Sequence, residues 1–137
     1  MIFIGIDTGT HTGVAVWNSE ERQFIEIKTM MLHQALNYVT TICQVFGMEN
    51  VMVLFEDARQ RKWYGVKSNE KLQGAGSVKR DAFIWEEFCT DYKIQFRALP
   101  PAKGATKLSP EFFKALTGWK GRTSEHSRDA AMIVFGR

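Results

Sequence analysis

Ile2-Phe3-Ile4-Gly5-Ile6-Asp7-Thr8-Gly9-Thr10-His11-Thr12-Gly13-Val14-Ala15-Val16-Trp17 is the stretch that decides how this chain folds. Ile2 to Asp7 is an apolar run ending in a carboxylate, as expected of a strand covered on both faces. Thr8 to Gly13 has the composition of a turn, and Val14 to Trp17 is a second strand. Asn18-Ser19-Glu20-Glu21 follows as a polar turn. Phe24, Glu26 and Lys28 then alternate with Ile25 and Ile27, the period-two pattern of a half-exposed strand. The opening therefore predicts a three-stranded antiparallel meander.

Beyond it, Leu32, Leu36, Val39, Cys43 and Phe46 recur at intervals of three and four, which predicts a helix capped by Gly47. Val51 to Glu56 is apolar up to its last residue. Reaching it from the meander through a helix implies a parallel crossover onto the first strand, so that Asp7 and Glu56 end neighbouring strands. From Asp57 to Gln73 no apolar stripe exists, and a long functional loop is expected there. Helical spacing returns at Val78, Ala82, Trp85, Cys89 and Tyr92, with Gly74 and Gly76 ahead of the first turn. Residues 93–97 form an expected edge strand. Ser109-Pro110-Glu111 starts a short helix that Gly118 ends, and Thr123-Ser124-Glu125 offers the N-cap of a closing helix that Ala130 to Phe135 continues. A meander continued by parallel crossovers gives an α/β fold, a five-stranded mixed sheet with helices on its faces, and this order matches the ribonuclease H-like topology.

With 137 residues the chain is expected to form a single domain spanning 1–137. Apolar residues make up 45% and charged residues 24%, the composition of a folded globular protein. No apolar stretch approaches the roughly 20 residues needed to cross a bilayer, and the N-terminus has no signal-peptide pattern, so a cytoplasmic protein without membrane partners is expected. Cys43 and Cys89 form no CxxC pair and fall on apolar helix stripes, the position of buried free thiols.

Asp7, Glu56 and Asp129 carry the chemistry. A carboxylate at the end of an apolar strand is costly to bury without a compensating cation or donors. Two such strands in one small chain point to a shared cation. Hard oxygen ligands suit Mg²⁺, for which Mn²⁺ can substitute. Two such ions about 4 Å apart can activate a water on one side of a phosphodiester and stabilise the leaving oxygen on the other. His126 and Asp129, three apart on a helix, share a face, and a histidine there can contact the phosphate, orient water or protonate the leaving group.

Net charge is +3, and its distribution is informative. Arg59, Arg61, Lys62, Lys67, Lys71, Lys79 and Arg80 lie close together in sequence, with Trp63 and Tyr64 among them and Glu70 the only acid between Arg59 and Arg80. Basic residues interleaved with aromatics suit phosphates and unpaired bases. Trp85, Phe88 and Tyr92 fall at helical spacing, as core or as a helix-to-helix dimer contact. The stripe of Val78, Ala82, Trp85 and Cys89 is the expected contact of a homodimer.

These residues resemble the RuvC-type Holliday-junction resolvases. Ile4-Gly5-Ile6-Asp7-Thr8-Gly9 with Thr12-Gly13 is similar to the family's opening strand and turn, and Phe55-Glu56-Asp57 to its second acidic motif. Thr117-Gly118-Trp119-Lys120-Gly121-Arg122 followed by His126-Ser127-Arg128-Asp129-Ala130-Ala131 resembles its late loop and catalytic helix. The resemblance implies that Asp7, Glu56 and Asp129 are metal ligands and His126 a catalytic residue, in a dimer that cuts a four-way junction. It also implies that Lys103 or Lys107 is a basic active-site residue; both, with Arg122 of the late loop, are further candidates for nucleic-acid binding. The family often has a second aspartate three residues before the last, where this chain has His126. Its length points to a phage or prophage form that cuts branched DNA more broadly.

The expected function is thus a metal-dependent endonuclease of DNA recombination and repair that leaves 5'-phosphate and 3'-hydroxyl ends. The alternatives are a nuclease of the same fold acting on RNA and a non-catalytic junction-binding protein. A phosphotransferase of the actin-like fold shares the opening motif but requires a second lobe, and the chain has no Walker-type lysine loop.

Overall fold

The computed structural model of the chain describes residues 1–60, 69–102 and 107–137. The elements are β1 (Ile2–Asp7), β2 (His11–Asn18), β3 (Gln23–Met31), α1 (Leu32–Phe46), β4 (Val51–Glu56), α2 (Asn69–Asp91), β5 (Gln95–Leu99), α3 (Pro110–Thr117) and α4 (Glu125–Val134). Single turns of tighter helix occupy Met48–Asn50 and Ala58–Gln60.

The strands form one sheet in the order β3-β2-β1-β4-β5. β1 pairs antiparallel with β2, and β2 with β3, as the meander predicts. β4 pairs parallel with β1, and β5 parallel with β4 at the edge. The protein is therefore α/β, with a five-stranded mixed sheet flanked by helices.

Alternation along the strands sorts their side chains between two cores. Ile2, Ile4 and Ile6 of β1, with Val51, Val53 and Phe55 of β4, pack with Val39, Cys43, Ala82, Trp85 and Cys89 of α1 and α2. Leu54 packs on the other side with Phe113 of α3 and Ala130, Ala131 and Val134 of α4. Phe3 joins that second core. The odd positions of β1 and the even positions of β4 thus face α4. Asp7 and Glu56 belong to those two sets, so the period of the strands aims both carboxylates toward the helix that carries Asp129.

Three expectations need correction. The segment from Asp57 to Gln73 is not wholly a loop, because Ala58–Gln60 makes a helical turn and α2 already begins at Asn69. Gly74 and Gly76 accordingly lie inside α2 rather than ahead of it. From Asn69 to Ser77 the sequence is largely polar and holds two glycines, the composition of a loop, although the backbone is helical. The third correction concerns the dimer contact. Ala82, Trp85 and Cys89 are wholly buried in the chain's own core and cannot meet a second copy, while Val78 alone of that stripe is exposed. Cys43 and Cys89 are buried free thiols, as expected, and burial pushes the Cys89 thiol up to about 12.

The caps follow the sequence. Ser109 accepts from the Phe112 amide with Pro110 at the first helical position, and Gly118 closes α3 in the left-handed conformation. Ser124 accepts from the Ser127 amide at the start of α4, and the Ser127 hydroxyl returns a bond to the Ser124 backbone. That capping box fixes where α4 begins, and with it the position of His126 and Asp129. Among the described residues no helix is long and apolar enough to cross a membrane.

Candidate active site

β1 and β4 run parallel, and the register that opposes Ile6 to Phe55 puts Asp7 and Glu56 one step further on, at the carboxyl ends of adjacent strands. Neighbouring strands lie about 4.8 Å apart. α4 crosses above this pair because two glycines let it approach. A Cβ on Gly5 would stand 2.1 Å from the Ala130 carbonyl oxygen, and one on Gly13 would stand 2.0 Å from that of His126. Only hydrogen fits there. The first turn of α4 therefore rests on the sheet backbone, where His126 reaches Asp7 across 119 positions of sequence: Nδ1 lies 2.8 Å from Oδ2.

The result is a cleft of about 360 Å³ lined by Asp7, Glu56 and Asp129 together. Lys107, Leu108, Arg128 and Met132 form part of its wall. Lys107 Nζ is 3.5 Å from Asp129 Oδ2 and also pairs with Glu125. Glu56 Oε1 accepts from the Ala102 amide at 3.4 Å. The three acids expected from the sequence are thus brought to one place, with His126 and Lys107 beside them.

Electrostatics at the cleft are those of crowded acids held by cations. Burial pushes the Asp7 carboxyl above its ordinary value and the Asp129 charge adds to this, while the His126 hydrogen bond and the His126 and Lys107 charges oppose it. Glu125 and then Asp129 hold the Lys107 ammonium up, and Lys107 in turn holds Glu125 down. Among the described residues no three His, Cys, Asp or Glu side chains close on a single metal point. The donor set nonetheless fits a hard divalent cation. It is all carboxylate oxygen, and a half-buried carboxylate raised by desolvation and by its neighbour's charge is relieved by added positive charge.

Other nominated residues are distributed differently. Arg59 is engaged by Asp57, with Nε 2.8 Å from Oδ1 and Nη2 2.9 Å from Oδ2, and by Glu86 of α2. This pairing holds the Asp57 carboxyl below the usual carboxylate range. Lys79 and Arg80 are exposed on α2. Arg80 lines a separate hollow with His33 and Asp81, on the α1 and α2 side of the sheet. Arg122 is exposed between α3 and α4. Arg61, Lys62, Trp63, Tyr64 and Lys103 lie outside the described residues.

Sequence reasoning did not assign a role to Arg128, which is buried in the cleft wall. An arginine between two nominated site residues on a closing helix was the available signal. Neither a model of any known protein family nor any curated protein matches the sequence.

Proposed function

We propose that the chain is a metal-dependent, structure-selective endonuclease with a ribonuclease H-like fold, of the RuvC type, that hydrolyses phosphodiesters of Holliday junctions or other branched DNA. One observation carries the reading: Asp7 of β1, Glu56 of β4 and Asp129 of α4 line a single cleft, with His126 bonded to Asp7. The topology, a meander followed by two parallel strands, supports the same reading.

Asp7, Glu56 and Asp129 would hold Mg²⁺, or Mn²⁺ in its place. When bound, the ion supplies charge stabilisation at the phosphate and a more acidic water. The chain's own groups do the rest. The bond from His126 Nδ1 to Asp7 fixes the ring and leaves Nε2 to take a proton from an attacking water or to return one to the leaving oxygen. Asp7 keeps Oδ1 outside that bond. Lys107 tempers the negative potential that would otherwise repel an anionic strand from three carboxylates.

A four-way junction offers two symmetry-related strands, so a homodimer with one cleft for each strand completes the proposal. Asp7→Asn, Glu56→Gln and Asp129→Asn test it, because each removes charge with little change of shape. Each variant is expected to lose cutting by two orders of magnitude or more and to retain junction binding in a gel-shift titration. Near-normal cleavage by any one of them removes that residue from the ligand set.

A further inference from the structure

Arg128 is only 9% exposed. A guanidinium is expensive to bury unless its charge and its donors are satisfied. Its five N–H groups sit in a rigid fork. Nε donates to the Leu108 carbonyl at 2.8 Å, and Nη1 donates to the Thr123 carbonyl at 3.2 Å and to the Thr123 hydroxyl at 3.1 Å. All three acceptors are neutral. Among the described residues no carboxylate forms an ion pair with Arg128.

Nη2 makes no hydrogen bond among the described residues. It is not a sealed atom either, since the fully buried side-chain atoms without partners there are the indole nitrogens of Trp85 and Trp119. The side chain lines the cleft with Asp7, Glu56 and Asp129. Its position is fixed from two sides, by the segment after Lys107 and by the residue before the Ser124 cap. What remains is one terminal nitrogen on a guanidinium that has no ion-pair partner among the described residues, feels the Glu125 charge only at a distance, and is already immobilised beside the acids.

We infer that Arg128 is a phosphate-binding residue of the cleft, presenting Nη2 to a phosphodiester oxygen of the bound strand. This rests on the nuclease reading above. The arginine fork is preorganised for phosphate, and the two backbone carbonyls and the hydroxyl that hold it remove the ordering cost that a surface lysine would carry. A lone anion would be repelled by the three acids. A nucleic-acid strand, whose other phosphates are held elsewhere, can deliver one to Nη2.

The test pairs a protein change with a chemical change in the DNA. Synthetic four-way junctions carrying a single neutral methylphosphonate, stepped through the phosphates around the branch, are titrated in chelating buffer so that nothing is cut. For the wild type one position should weaken binding about tenfold, the size of one missing charge-assisted hydrogen bond. For Arg128→Gln the same position should have almost no effect. If every position weakens both proteins equally, Arg128 only staples the loop and the inference fails. Should Arg128→Gln melt before the titration, Arg128→Lys decides instead. A lysine cannot satisfy the Leu108 and Thr123 oxygens and reach the phosphate with its one nitrogen, so its sensitivity at that position should drop to about twofold, and undiminished sensitivity overturns the inference. Failure of the wild type to bind any branched DNA is a different result, and it removes the nuclease reading along with the inference.

Discussion

Asp7 is the residue on which the site turns, and its situation has a measurable sign. Burial raises its carboxyl above the ordinary 3.8. Between 3.8 and that raised value the folded chain binds more protons than the unfolded one, so this residue's contribution to stability falls as pH rises through the window. Above the window the cost of the half-buried charge is fully present. Asp7→Asn should therefore melt at a higher temperature than wild type at pH 7 in metal-free buffer, and the difference should vanish near pH 3. An equal gain at both values would show that something other than this ionisation is responsible. Mg²⁺ offers a second reading of the same residue. It should raise the wild-type Tm by mass action, by about 2.7 kcal/mol of stability at one hundred times Kd, and leave Asp7→Asn unmoved.

At the scale of elements, the site exists because α4 lies directly on β1 and β2. Gly13→Ala places a Cβ 2.0 Å from a backbone oxygen that cannot swing away, so the helix must lift. The expected cost is about 1–3 kcal/mol. Cleavage should fall by more than the unfolded fraction explains, because His126 and Asp129 move away from Asp7. Normal activity in a protein destabilised by that amount would show that the close approach does not position the site. On the other face Trp85 is wholly buried in α2's packing against the sheet. Trp85→Ala should cost about 3–5 kcal/mol in a denaturant titration, and an unchanged midpoint would contradict its place in the core.

These elements also show what the sequence could and could not convey. Apolar runs ending in Asp7 and Glu56 made the two strands legible, and period two carried both acids to one face. Ser109-Pro110 and Ser124 marked the helix starts because capping is local chemistry. The beginning of α2 was hidden, since an exposed polar helix shares its composition with a loop. The roles of Gly5, Gly13 and Arg128 were hidden for another reason. Each depends on a backbone atom 20 or more positions away, and no local pattern encodes such an approach.

For the whole molecule, the proposed function assigns the approach of an anionic polymer to the charge of +3 and to the basic residues concentrated in sequence from Arg59 to Arg80. The cleft is lined by three acids, so on the proposed function the attraction has to come from basic residues of the chain. Charge reversal at Arg61 and Lys62 should weaken binding of duplex and junction alike and lower the slope of log affinity against log salt by about one for each phosphate no longer neutralised. An unchanged slope would place the DNA elsewhere. The nuclease reading itself is tested most directly by incubating the purified protein with a synthetic four-way junction, with and without Mg²⁺, beside a matched RNA junction and a linear duplex. Mg²⁺-dependent paired nicks are expected, symmetrically placed on two opposite strands of the DNA junction and leaving 5'-phosphate ends. Intact DNA junctions in Mg²⁺ and Mn²⁺ at saturating protein, or cutting confined to the RNA, would overturn that reading.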